Sequence, residues 1–182
     1  MLLFSLTVFL FGVAFGRDCS SQPSPGFTCN EHSPSIQYYF DEEHMSCYPF
    51  GHNGCDLKTG PLRLLGPDSK NGYPTVDSCW HSCMPMDYNS CGYSIRSTGT
   101  CSYDPSRKAE CSPDAECHMG AFFGICCPKD KIQRSENPKC EAGKRLVKQN
   151  DGQKLISKRC SLNFCPKGSQ CIDGEFFAYC CQ

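Results

Sequence analysis

Apolar positions in this chain form one long block at the start and only fragments afterwards. Residues 1–16, MLLFSLTVFLFGVAFG, carry no charge and are almost wholly apolar. The block falls short of the ~20 residues that a membrane-spanning helix needs. Ala14 and Gly16 put small residues just before Arg17, so the block reads as a signal peptide rather than an anchor. The amino terminus alone supplies its positive charge. No later segment is apolar enough to span a bilayer. The stretch YYFDEEHMS (38–46) reads as an aromatic-rich strand entering a turn, with Asp41, Glu42 and Glu43 as a solvated hairpin tip. PTVDSCWHSC (74–83) reads as a short helix. Thr75 can cap it, Asp77 and Ser78 suit its first turn, and Cys79 and Cys83 share a face at i, i+4. Trp80 then packs at the helix edge and His81 faces solvent. The pairs Phe122-Phe123 and Phe176-Phe177 read as short strands, one ring inward and one partly out.

Such fragments cannot build an ordinary core, and the composition says what replaces it. The 182 residues include 18 cysteines, a density that marks a disulfide scaffold. The number is even, and disulfides persist outside the cell, which agrees with a secreted, extracellular chain. The cysteines fall into three groups of six: Cys19 to Cys83, Cys91 to Cys127, and Cys140 to Cys181. This divides the chain into a leader (1–16), a first module (17–84), a cysteine-rich repeat (91–128), a polar, proline-bounded linker (129–139) and a second repeat (140–182).

The second and third modules are copies of one pattern. CHMGAFFGICC (117–127) and CIDGEFFAYCC (171–181) both fit C-x-x-G-x-F-F-x-x-C-C, each with a cysteine six residues earlier. Modules of ~40 residues bury too little surface to fold without cross-links. Adjacent cysteines such as Cys126-Cys127 point to opposite sides of an extended chain and should bond to different partners. Both modules resemble lustrin-type cysteine-rich repeats of invertebrate secreted proteins. The third is the nearer match, through RCSLNFCPKGSQC and YCCQ. That resemblance implies an extracellular, matrix-associated setting and no catalysis.

The first module carries a more specific resemblance. Its cysteines stand at 19, 29, 47, 55, 79 and 83. Tyr38-Tyr39-Phe40, Phe50, Gly54 beside Cys55, and the Asn71-x-Tyr73 pair sit where the Kunitz (pancreatic trypsin inhibitor) family has their counterparts. The resemblance implies a small disulfide-rich α+β fold: a twisted antiparallel hairpin (about 36–41 and 46–52) and a C-terminal helix from Thr75. It also implies the bridges Cys19–Cys83, Cys29–Cys55 and Cys47–Cys79. Its activity would be inhibition of a serine protease by a substrate-like loop of Phe27, Thr28, Cys29, Asn30, Glu31 and His32. The residue after the second cysteine, here Asn30, fills the protease's specificity pocket.

The loop departs from the family in several places. Asn30 has neither the length nor the charge to meet the pocket aspartate of a trypsin-like enzyme. Glu31 replaces a small residue, Phe27 and Asn53 replace glycines, and both sides of the loop are lengthened. A non-inhibitory protein that binds matrix, receptor or channel on the same scaffold is the alternative reading. The insertion 56–70, DLKTGPLRLLGPDSK, offers Leu62, Arg63, Leu64 and Leu65 at an exposed loop.

Other chemistry finds little support. The histidines (32, 44, 52, 81 and 118) have no zinc-site spacing, and the cysteines are far better explained as paired, so no metal is expected. No nucleophile elbow or phosphate loop occurs, and neither catalytic residues nor cofactors are expected. The net charge of −1 argues against nucleic acid. Residues 139–182 nonetheless hold 8 basic and 4 acidic residues, a candidate patch for sulfated glycans. No Asn-x-Ser/Thr sequon is present.

Overall fold

A computed structural model describes residues 18–30, 32–55, 71–102 and 110–182. The leader, Glu31 and the 56–70 insertion lie outside the described residues. In the first module a two-residue strand β1 (Phe27–Thr28) precedes a hairpin of β2 (Ser35–Asp41) and β3 (Ser46–His52). A short β4 (Gly54–Cys55) pairs back with β1, and helix α1 (Val76–Cys83) closes the module. The helix begins where its sequence offers a reciprocal cap. The Thr75 side chain accepts from Ser78 N, and Ser78 Oγ accepts from Thr75 N.

The second module is a sheet of β5 (Thr100–Cys101), β6 (Ala115–Met119) and β7 (Gly124–Pro128), with β7 central. The third repeats the plan with β8 (Ile156–Ser157), β9 (Gln170–Asp173) and β10 (Ala178–Cys181), with β10 central. The repeat is thus one topology used twice, each central strand carrying the Cys-Cys pair. Residues 129–139, read as a linker, contain helix α2 (Lys129–Glu136). Good helix formers and an i, i+4 pair between Asp130 and Arg134 stabilise it, and Pro138 disfavours helix at Asn137.

Eighteen cysteines form nine bridges, each within its own group of six. All three modules follow one scheme, first to sixth, second to fourth, third to fifth. The first module has Cys19–Cys83, Cys29–Cys55 and Cys47–Cys79. Cys126 and Cys127 bond to Cys111 and Cys91, on opposite sides of β7.

The hairpin has an apolar cluster on each face. On one, Phe40 packs with Tyr73 and Cys79 beneath α1. Asn71 is fully buried beside it. It accepts from Phe40 N at 2.9 Å and donates to the carbonyls of Cys19, Ser21 and Phe40, tying chain ends to strand. On the other face Tyr39, Tyr48 and Phe50 are 1–2% exposed, and their cover comes from the later modules: Tyr93, Ile156 and Leu162. Ser157 Oγ donates to Pro49 O at 2.7 Å, and Tyr38 Oη donates to Gln149. The three modules are therefore packed together around the hairpin.

This packing alters the expected hairpin tip. Glu42 and Glu43 are exposed, but Asp41 is buried. Its carboxylate accepts from His44 N, and Lys158 of the third module reaches it at 2.9 Å while also meeting Glu43 at 2.7 Å. Burial pulls the Lys158 ammonium down, but its hydrogen bonds to Glu43 and Asp41 outweigh that and hold it above the usual lysine value. The same bond holds the Glu43 carboxyl below its usual value. Burial pushes His44 down despite the nearby carboxylate of Asp41.

The Phe-Phe pairs divide. Phe177 is buried and Phe176 half-buried, whereas Phe122 is 79% and Phe123 37% exposed. The third module's pair fits the reading of one ring in and one partly out; the second module's pair is not core.

Candidate functional site

The segment 27–32 is held from beneath and on both sides. Incoming residues Phe27 and Thr28 pair with Cys55 and Gly54, and Cys29 is bridged to Cys55. Just upstream, Asn53 N donates to Pro25 O at 2.8 Å and Asn53 Nδ2 to Gly26 O at 3.2 Å. On the outgoing side His32 O lies over Gly54, where a Cβ would sit 2.4 Å from that oxygen. Gly54 also has φ of +110°, so both space and backbone demand glycine there.

Below the crossing is His52, buried at 3% exposure. It follows Tyr48 and Phe50 on one face of β3 and meets the Phe50 ring edge-on. Its Nδ1 accepts from Gly54 N at 3.3 Å, which fixes a ring that fills the space under the loop. Sequence reasoning weighed His52 only as a metal ligand and missed this role. The alternation Tyr48-x-Phe50-x-His52 was the available signal.

Above this support, Thr28, Asn30 and His32 are exposed and Cys29 and Phe27 half-buried. The structure thus brings five of the six loop residues into one projecting segment; Glu31 lies outside the described residues. Chemically, the loop offers a restrained backbone, extended at Phe27 and Thr28, and a short amide side chain at Asn30. It holds no nucleophile–base pair.

Elsewhere, Asp41, Glu43 and His44 converge closely enough for a metal, but the cation there is the Lys158 ammonium. The basic excess of residues 139–182 is partly used internally as well. Lys144 bonds Glu141 and Gln170, Lys154 bonds the Glu136 carbonyl, and Lys158 bonds Asp41 and Glu43. No helix among the described residues is long and apolar enough to cross a membrane.

Comparison with known proteins bears on this geometry. The family model for the Kunitz/bovine pancreatic trypsin inhibitor domain matches residues 18–84. The whole chain is similar to "BPTI/Kunitz inhibitor domain-containing protein C02F12.5" of Caenorhabditis elegans, 34% identical over 189 residues and covering 100% of both. It is also similar to "Major allergen Ani s 1" of Anisakis simplex, 25% identical over 94% of this chain and 90% of that one. No solved structure matches.

Proposed function

The chain belongs to the Kunitz/bovine pancreatic trypsin inhibitor domain family, and from that premise we propose that it is a secreted inhibitor of a serine-type endopeptidase. It presents residues 27–32 as a substrate-like loop, with Asn30 as the specificity residue. The family is one of inhibitors, and the chain is not an enzyme. Secretion is supported by nine disulfides in so small a chain and by the apolar leader.

The observation that carries this reading is the double restraint on the loop. The β1–β4 ladder and the Cys29–Cys55 bridge hold the incoming side, and the close passage of His32 over Gly54 holds the outgoing side. A loop already fixed in shape loses little entropy on docking, which is how a small interface becomes tight. Asn30 then sets the preference. A trypsin-like pocket would close over its aspartate without a cation, which costs about 2–5 kcal/mol, or ~30- to several-thousand-fold in affinity. The target is therefore a protease whose pocket takes a small polar side chain.

The non-inhibitory alternative draws on Asn53. It is exposed where the family has glycine, so it adds a side chain beside the loop. The glycan reading loses force because part of the basic surplus is paired internally.

The test is inhibition by the full oxidised chain of trypsin, chymotrypsin, elastase and subtilisin. Inhibition of one of them below about micromolar, changed by Asn30→Ala, is expected. Silence across all four from a correctly bridged protein moves the assignment to the non-inhibitory partner-binding role.

A further inference from the structure

Four of the six exposed large apolar side chains among the described residues, Met86, Met119, Phe122 and Phe123, belong to one region at the β6–β7 turn. Met86, Met119 and Phe123 line an open cleft of about 270 Å³, and Phe122 adjoins it, 79% exposed. The same turn exists in the third module. Gly120 N donates to Phe123 O as Gly174 N donates to Phe177 O, and the two turns differ in what covers them. On the third module's turn, Tyr93 meets Phe177 edge-on at 4.8 Å. The Arg134 guanidinium lies 5.7 Å from the Phe176 ring centre and makes two hydrogen bonds to Glu175. An aromatic pair, an adjacent carboxylate and a covering arginine make one unit there.

The second module has the first two parts and lacks the third. The carboxylate is Asp87, from the segment between the first two modules, which lines the cleft and accepts from Phe122 N at 3.0 Å. Its other oxygen is shielded from solvent and has no hydrogen-bond partner, and no described cation pairs with it.

We propose that the Met86, Asp87, Met119, Phe122, Phe123 surface is a docking site for a partner protein segment that presents an arginine beside an aromatic residue. The arginine stacks on Phe122 as Arg134 stacks on Phe176, and its charge offsets that of the Asp87 carboxylate; the aromatic covers Phe123 as Tyr93 covers Phe177. The surface lies in another module from the loop 27–32 and is independent of it, so protease inhibition and this contact are separable.

The test uses the full oxidised chain and a random peptide library displayed on phage. Enriched peptides are expected to carry Arg within a few positions of Tyr, Phe or Trp. Their affinity should fall about tenfold or more on Phe122→Ser or Asp87→Asn in the chain, and equally on Arg→Ala in the peptide. Phe122→Leu should fall between, since it keeps apolar area and loses the ring face. Phe122 is exposed, so its variants keep the nine bridges, which a non-reducing mass measurement checks. The proposal is overturned by peptides enriched without arginine, by binding indifferent to Phe122→Ser, or by no enrichment. It is also overturned if sedimentation shows self-association that Phe122→Ser abolishes, because the occupant is then a second copy.

Discussion

The two ends of the first module's hairpin are secured by different means. At the tip, stability is borrowed. Asp41 is buried against Lys158, and Tyr39, Tyr48 and Phe50 pack under Ile156 and Leu162, more than a hundred residues along the chain. At the loop end Gly51 still meets Asn163 of the third module, but the restraints on the loop itself are local: a two-residue ladder, one disulfide, Asn53 and Gly54. The borrowed end carries fold stability, while the local end needs only a fixed shape and stays open to a partner. Stability and recognition are thereby assigned to opposite ends of one ribbon.

The largest effect that sharpens this contrast is Tyr48→Ala. Removing a ring 1% exposed at the junction of modules should cost about 3–5 kcal/mol in denaturant unfolding of the oxidised chain. Asn30→Ala in the same assay should stay within about 0.5 kcal/mol. A comparable loss from Asn30→Ala would break the division of labour. Next in size, Asn30→Arg should improve trypsin inhibition by about 30-fold or more, with the unfolding midpoint unchanged. If trypsin inhibition does not move, the loop is not docking in the substrate-like manner.

A smaller effect is expected from Lys158→Ala. It strands the Asp41 carboxylate, but Lys158 keeps 23% side-chain exposure, so solvent screens part of the loss and about 1–3 kcal/mol is expected. The smallest effect concerns acid. Burial lowers the folded-state pKa of His44 from 6.5, so below that value the unfolded chain binds more protons than the folded one. The His44 contribution is complete above about pH 6.5 and is lost as pH falls toward the depressed value. His44→Gln should flatten the stability profile in that window, as followed by thermal unfolding. An unchanged profile would mean that His44 does not couple the tip to pH.

Much of the first module was legible in its sequence, because cysteine spacing, the aromatic strand and the Asn71-x-Tyr73 pair carry the Kunitz resemblance, and the Thr75 cap encodes local geometry. The loop was legible as a segment, and its support was half-read. Asn53 stood out as a glycine replacement, whereas His52 gave only an alternation that is easily overlooked. Asp41 was misread because three acids in a turn look solvated until a lysine 117 residues away is brought to them. Helix α2 was hidden by the prolines that bound it and by a lack of apolar periodicity. The Phe122-Phe123 pair was misjudged for an instructive reason. An identical motif is core in one copy and surface in the other, so burial depends on which segment arrives to cover it.

The cover over Tyr39, Tyr48 and Phe50 also has a history in time. The hairpin is complete once residue 52 has been made, but its lid of Tyr93, Ile156 and Leu162 is complete only at residue 162. All three bridges of the first module join residues no later than Cys83, so that module can finish its covalent chemistry while its outer face is still bare. A chain halted between residues 128 and 139 would have every cysteine paired and would leave two tyrosines and a phenylalanine without the cover of Ile156 and Leu162. Its fault would be adhesive rather than covalent, invisible to a thiol assay and plain to a chaperone.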